Sequence, residues 1–376
     1  MGSRPQGACE GAGEIRARCR GAPHGRNISP GRRDVEDVVQ PNGGNIVTAA
    51  QQELNWTGAK VLVTGGAGFI GSHLVELLVA AGAQVTVLDN FASGSRDNLA
   101  GVMDAITLRE TDIRRLDWQE YLTEHPADVI AHLAANAYVP PSVEDPAFDC
   151  ELNFQTTFRL LDALRARHWP GRLVFASSAA VYGNSVHIPI SEDDPTVPIS
   201  PYGVGKLAAE RYLAVFAQLY GLNMASVRFF SAFGPRQRKQ VVFDLLAKLD
   251  RDHERLFIHG DGTQVRDFLF VGDAARSVMM VAANAPLRGE VYNVGAGREY
   301  TIDQLAKSLC SITGLTPDFD YSGSNRPGDP EKLVVDISRL SAIGYAPLTD
   351  FDQGLTSTVA WFESLTGASW RRRTQE

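Results

Sequence analysis

The sequence predicts an α/β protein, a doubly wound parallel sheet joined to a smaller, interleaved α/β lobe. Three observations carry that expectation. From Lys60 onward, short apolar runs rich in β-branched residues alternate with amphipathic helical stretches. The first of these runs passes straight into a glycine-rich turn and then a helix. The chain is also long enough, at 376 residues with 44% hydrophobic and 21% charged side chains, for about two ordinary globular lobes.

Taken in order, residues 60–64, 84–88, 128–133 and 172–176 read as strands, each almost continuously apolar as strands covered on both faces must be. Helical segments near 70–82, 151–168 and 204–220 fill the intervals, which gives right-handed crossovers between parallel strands. Sheets of this kind bind ligands beyond the carboxyl ends of their strands, so chemistry is expected just after each run. Past residue 229 the pattern loosens into Gly/Pro-punctuated segments with short helices at 241–251 and 302–312. The division that follows is a dinucleotide domain over 58–229 and a substrate lobe over 230–370, partly interleaved with it. Residues 1–57 are rich in Gly, Arg, Pro and Asn without an apolar period, and are read as a disordered extension. They lack the continuous apolar segment of a secretory signal, and their acids weigh against an organelle transit peptide.

Composition removes several classes of function. A net charge of −8 without a long run of one sign argues against a nucleic-acid surface or an anionic-membrane surface. No stretch approaches 18 apolar residues, so no membrane span is expected. Cys9, Cys19, Cys150 and Cys310 form no CxxC pair, which suggests neither a disulfide framework nor a zinc site. A cytoplasmic protein without a metal fits best. The chain has no Gly-x-Ser-x-Gly elbow, no Walker lysine loop and no HExxH helix, which sets hydrolases, kinases and zincins aside.

What remains is concentrated in a few segments. In Thr64-Gly-Gly-Ala-Gly-Phe-Ile-Gly71, the glycines at 65, 68 and 71 leave no side chains at three points: where the turn tightens, where a diphosphate would approach the backbone, and where helix packs on strand. Amides at that helix start would face the phosphate. Asp89 closes the next strand and, as a ribose ligand, would accept bonds from the adenosine diol and repel a 2′-phosphate, favouring NAD over NADP. An aspartate there can equally serve a turn.

In Pro201-Tyr202-Gly-Val-Gly-Lys206, a spacing of four sets the phenol and the ammonium on one helical face. The cation is expected to favour phenolate and make Tyr202 a base near neutral pH. Ser177 and Ser178 continue a strand into Ala-Ala-Val-Tyr-Gly183, where a hydroxyl can hold a substrate oxygen while the tyrosine takes its proton, or can simply cap a turn. Arginines also recur beside sharp turns, in Gly234-Pro-Arg-Gln237, in the segment from Gly260 to Phe268, and in Arg326-Pro-Gly-Asp329. Guanidinium forks match phosphate oxygens, which favours a nucleotide-linked substrate.

With these motifs in this order, residues 58–365 resemble the extended short-chain dehydrogenase/reductase family, in its NAD-dependent epimerase/dehydratase branch acting on nucleotide sugars. The likeness rests on TGGAGFIG at 64–71, Asp89-Asn90, Thr111-Asp112-Ile113, His132-Leu-Ala-Ala135, the Ser178 segment, Tyr202 with Lys206, Gly-Pro-Arg-Gln at 234–237, Arg266-Asp-Phe and Arg326-Pro-Gly-Asp329. It implies a Rossmann-type sheet with NAD held by Gly65, Gly68, Phe69, Ile70, Gly71, Asp89, Asn90, Asp112, Ile113, Ala134, Tyr202 and Lys206. Asp112 and Ile113 would lie along the adenine. It implies Tyr202, Lys206 and Ser178 as the catalytic set, and Ser178, Ser231, Arg266, Arg326 and Asp329 on the substrate, with Arg266 and Arg326 gripping its diphosphate. It further implies a homodimer paired through the helices at 151–168 and 204–220.

Departures from the family pattern narrow the activity. Its 4,6-dehydratases carry Thr-Asp-Glu before Val-Tyr-Gly, and its decarboxylases keep a glutamate there; this chain has Ser178-Ala179-Ala180. Without the carboxylates, elimination lacks its general acid and base. The resemblance therefore implies 4-epimerisation of a UDP-hexose or UDP-N-acetylhexosamine through a transient 4-keto sugar. A 5,6-type dehydratase and a noncatalytic NAD-binding regulator stay open as alternatives. Ser231 replaces the family's asparagine, Asn136 its frequent glutamine or glycine, and Leu333 a bulky tyrosine, which would leave room for a 2-acetamido group.

Overall fold

In a computed structural model, which describes residues 54–185, 187–323, 331–368 and 370, the apolar runs become the middle of one parallel sheet. Its elements are β1 (Lys60–Thr64), α1 (Phe69–Ala80), β2 (Gln84–Asp89), β3 (Ile106–Glu110), α2 (Trp118–Glu124), β4 (Val129–His132), α3 (Val139–Glu144), α4 (Pro146–Cys150), α5 (Thr156–Ala166), β5 (Arg172–Ser178), α6 (Pro201–Tyr220) and β6 (Asn223–Phe229). A second set follows: β7 (Ser231–Phe233), α7 (Gln240–Arg251), β8 (Arg255–Ile258), β9 (Val265–Arg266) and β10 (Phe268–Phe270). Then come α8 (Val271–Asn284), β11 (Arg288–Val294), β12 (Tyr300–Thr301), α9 (Ile302–Thr313), β13 (Asp318–Tyr321), β14 (Lys332–Leu333), α10 (Ser338–Ser341) and α11 (Phe351–Thr366).

The main sheet runs β11-β6-β5-β4-β1-β2-β3, and every pairing in it is parallel. Strand order reverses between β1 and β4, whose carboxyl ends diverge into a crevice. Side chains of β1 alternate between the two covered faces. Val61 and Val63 pack with Leu74 and Leu78 of α1 and with Val278 of α8, while Leu62 packs with Leu160 of α5 and Leu213 of α6. A separate core, around Phe233, Leu246, Leu305 and Leu355, holds the second lobe.

Some elements lay beyond the sequence signals. The edge strand β3 alternates, with Thr107, Arg109 and Glu110 exposed, so it never forms an apolar run. In β6 and β11 the run is broken by Ser226, Arg228 and Asn293, all buried. Arg228 belongs inside because Glu210 receives it at 2.9 and 2.7 Å, and the Tyr182 hydroxyl accepts a third bond at 2.7 Å. That hydroxyl in turn donates to Asn293 Oδ1 at 2.7 Å. The expected helix at 151–168 begins as a π-turn over Glu151–Gln155, where the Glu151 carbonyl accepts both the Thr156 amide and, at 2.9 Å, the Thr156 hydroxyl. Helix α8 and strand β11 lie within the segment assigned from sequence to the second lobe, yet they complete the main sheet and its first core.

Candidate functional site

The glycine turn occupies the crevice. Gly65 has φ +70°, and a Cβ there would stand 2.7 Å from the Ala134 amide nitrogen, so the loops after β1 and β4 meet only because this residue is glycine. At Gly71 a Cβ would lie 2.1 Å from the Gly65 carbonyl oxygen, which fixes how closely α1 approaches the strand. Gly68 is the N-cap of α1, and no side chain caps that helix. Its leading amides, at Phe69 and Ile70, are therefore left to an anion. A twelve-residue helix with an uncapped start above a switch point fits the diphosphate of a dinucleotide.

Asp89 is buried at the end of β2, where its carboxylate accepts the Ala67 amide at 2.9 Å and the Phe91 amide at 2.8 Å. It thus pins the glycine turn as well as facing the crevice, and burial raises its pKa. Asn90 is exposed and accepts the Ala92 amide at 3.1 Å. Asp112 is bound to Arg114 at 2.6 Å, and that hydrogen bond holds its carboxyl below the usual range; Ile113 is buried beside it. Ala134 donates its amide to the Thr64 hydroxyl at 3.2 Å.

A buried imidazole fastens these loops together. Thr157 donates its hydroxyl to the Asn153 carbonyl, so it accepts from His132 Nε2; His132 Nδ1 then accepts from Thr64, at 3.1 and 2.8 Å respectively. Burial, then the nearby Lys206 charge, lowers His132 to about 3, so the ring is neutral.

Strand β5 delivers Ser178 to the carboxyl edge, where its hydroxyl oxygen accepts the Ala180 amide at 3.2 Å and also hydrogen-bonds the Tyr202 phenol. Helix α6 starts beside it: Ser200 caps the helix by accepting the Gly203 amide at 3.2 Å, and Pro201 fits its first turn. Tyr202 is buried on that first turn, and Lys206 follows one turn later, donating to the Ala176 carbonyl at 2.8 Å. The ammonium stands 5.9 Å from the Tyr202 ring centroid.

The electrostatics correct one expectation. Lys206 was expected to favour phenolate, but burial dominates and pushes Tyr202 up to about 12; the Ser178 hydrogen bond lowers it less, and Asp149 raises it further. Burial likewise brings Lys206 down to about 8, against the pull of Asp149 and Glu210. Each group resists charging in the same dry site.

Sequence reasoning missed Asp149 and Asn153, which stand beneath this pair. Asp149 Oδ1 accepts Asn153 Nδ2 at 2.7 Å and Asn136 Nδ2 at 3.0 Å, and the Asn136 amide donates to Asn153 Oδ1 at 3.1 Å. Only Asn153 fell within the helix expected over 151–168; Asp149 precedes it, and no local signal joined the two.

In the second lobe, Ser231 on β7 lies opposite Phe268, two residues beyond Arg266. Arg266 is buried on β9 and donates to the Val265 and Glu331 carbonyls at 2.8 and 3.4 Å. Leu333 pairs with it across β14 and packs toward Val181 and Phe230. Arg236 takes a different role from the diphosphate grip its turn suggested: it binds Glu76 of α1, while His73 of that helix meets the Pro235 carbonyl at 3.2 Å. Arg326 and Asp329 lie outside the described residues. Among the described residues there is no cluster that could hold a metal ion, and no helix is long and apolar enough to cross a membrane.

Comparison with known proteins agrees with this geometry. Residues 61–295 match the model of the NAD dependent epimerase/dehydratase family. A putative UDP-glucose 4-epimerase of Methanocaldococcus jannaschii is 33% identical over 309 residues, covering 81% of this chain and 98% of that protein. Among solved structures, a UDP-N-acetylglucosamine 4-epimerase from Methanobrevibacter ruminantium, in complex with UDP-N-acetylmuramic acid, superposes with a TM-score of 0.77 at 33% identity, covering 82% of this chain and all of that one. A Thermus thermophilus UDP-glucose 4-epimerase in complex with NAD gives 0.73 at 35% identity, with 81% and 99% covered.

Proposed function

The chain belongs to the NAD dependent epimerase/dehydratase family, and from that premise we propose that it inverts C4 of a UDP-hexose or UDP-N-acetylhexosamine through a transient 4-keto sugar. The observation that carries this reading is Tyr202, Ser178 and Lys206 gathered at the carboxyl edge of β5 with no carboxylate on the two residues after Ser178, since Ala179 and Ala180 occupy those places. Elimination of water would need an acid and a base there.

In this reading the uncapped start of α1, the Gly65–Gly71 turn, Asp89 and the Asp112–Ile113 segment hold the dinucleotide. NAD, when bound, supplies a reversible hydride acceptor and a positively charged ring. Tyr202 takes the 4-hydroxyl proton as the carbinol is oxidised, and returns it when the opposite face of the ketone is reduced. Ser178, already bonded to the phenol, steadies the sugar oxygen. Lys206 is the chain's own cation for the phenolate, and its bond to Ala176 keeps it from leaving the pair. Arg266, Arg326, Asp329 and Ser231 retain the nucleotide diphosphate while the pyranose turns over. Leu333, in place of a larger ring, suits a 2-acetamido group.

We further read the protein as a cytoplasmic homodimer. Val204, Val215 and Leu219 are exposed along α6, beside Tyr212, which meets Phe154 at a tilt and Phe158 edge to face, and such a face is suited to a second copy.

The test is incubation of the purified protein with UDP-glucose and with UDP-N-acetylglucosamine, with and without added NAD, followed by chromatography and mass spectrometry. The C4 epimer at unchanged mass is expected. A product lighter by one water would replace this reading with a dehydratase, and NAD binding without any product would replace it with a regulator.

A further inference from the structure

Beneath the catalytic pair sits a carboxylate that the mechanism above does not use. Asp149 lies on α4 and is fully buried. One of its oxygens, Oδ1, is clamped by the side-chain amides of Asn153 and Asn136 at 2.7 and 3.0 Å. The other, Oδ2, is buried with no hydrogen-bond partner among the described residues. A buried, unpartnered carboxylate oxygen is costly, and a folded protein keeps one where a neighbouring charge offsets it.

The direction in which Oδ2 points identifies that charge. A Cβ on Gly205 would come within 3.7 Å of it, so the oxygen lies against α6 at the residue just before Lys206. A longer side chain at 205 would fill this space, and glycine leaves it open. The carboxylate interacts through space with both members of the pair, without a contact ion pair.

We propose that Asp149 is a positioning residue for the reaction, the fixed negative charge that keeps Lys206 cationic in a closed, dry site. The proposal rests on the epimerase reading for its role in turnover, though its electrostatic content stands apart from that reading. Among the other groups facing Lys206, Glu210 on the same helix acts in the same sense but less strongly, and its carboxylate is committed to Arg228 by two bonds. His132, reaching in from β4, is neutral at working pH. From β5 come the Phe175 ring, 4.8 Å from the ammonium, and the Ala176 carbonyl, neither of them titratable. Tyr202 carries no charge as a phenol, and only its phenolate form can act as a base.

The sign of the effect is the same for both partners. A negative charge raises the pKa of an ammonium by favouring its charged form, and raises that of a phenol by opposing phenolate. Asp149→Asn keeps the shape and removes the charge. Lys206 should then lose its proton at lower pH, and Tyr202 should ionise at lower pH. Both limbs of the kcat/KM profile should move to the acid side together, by about one pH unit for charges a few ångströms apart in a partly dry site. Loss of shape alone would lower the height of the profile and leave its limbs in place.

The experiment records kcat/KM against pH for the NAD-loaded wild type and Asp149→Asn, alongside an ultraviolet difference titration in which Tyr202→Phe is subtracted to isolate the Tyr202 phenol. An acid shift of both limbs, with an acid shift of the phenol midpoint, supports the assignment. Unmoved limbs and an unmoved phenol overturn it. If the wild type makes no epimer, the epimerase reading fails, and the phenol titration still decides the electrostatic claim. Should Asp149→Asn not fold, Asp149→Ser, which keeps an acceptor for Asn153, carries the same expectation.

Discussion

Replacing Glu210 with alanine tests the physical claim that joins the fold to its site. Glu210 lies midway along α6, the helix that carries Tyr202 and Lys206, and it receives Arg228 of β6 through Nε at 2.9 Å and Nη2 at 2.7 Å. The side chains are only 2% and 3% exposed, so water cannot take over the guanidinium when the carboxylate is gone. Removing one partner of a buried pair costs about 3–5 kcal/mol, against a net stability on the order of 5–15 kcal/mol. The variant should therefore fold and melt lower by on the order of 10 °C, at about 2–4 °C per kcal/mol for large domains. Deleting both charges in Glu210→Ala/Arg228→Leu should recover most of the loss, because no buried charge is then left unpaired. Tryptophan fluorescence and circular dichroism during urea unfolding would measure both. A single variant within about 1 kcal/mol of wild type, or a double variant worse than the single, would refute the argument that this pair holds β6 against α6.

Further outcomes follow from the same geometry. Gly65→Ala places a Cβ 2.7 Å from the Ala134 nitrogen at φ +70°; titration calorimetry with NAD should show at least a tenfold loss of affinity, and unchanged affinity would contradict the assigned turn. The kcat/KM profile should fall on the alkaline side near pH 8 as Lys206 loses its charge, and Lys206→Arg, whose cation persists, should move that fall upward even if its peak is lower. Burial depresses Lys206 in the folded state, so its charge costs stability below about pH 8 and that cost fades as pH rises toward the ordinary lysine value; the advantage of Lys206→Met over wild type in urea melts should shrink over that interval.

The sequence made the cofactor turn legible because its signal is local: three glycines, a strand before them and a helix after them determine the backbone path. Tyr202 and Lys206 were legible for the same reason, since one helical turn joins them. Their electrostatics were not. The spacing spoke only of attraction between ammonium and phenolate, while burial of both side chains, a tertiary property, turned out larger and of opposite sign for the phenol. Strands β6 and β11 escaped notice because Arg228 and Asn293 interrupt them, and nothing local reveals that Glu210 and Tyr182 wait across the core. Arg236 was misjudged on similar grounds: a guanidinium beside a glycine turn suits phosphate, but the fold carries it to Glu76. Asp149 and Asn153 acquired their meaning only when the chain brought α4 under α6.

The most direct measurement follows a deuterium atom placed on C4 of UDP-glucose or UDP-N-acetylglucosamine through turnover by the NAD-loaded protein. The epimer should form with the label still on C4, no label in solvent and no accumulation of NADH, and Tyr202→Phe should slow that conversion by about 10²–10⁴-fold while still binding UDP. Label lost from the sugar into free NADH, or conversion that survives Tyr202→Phe at the wild-type rate, would contradict the account.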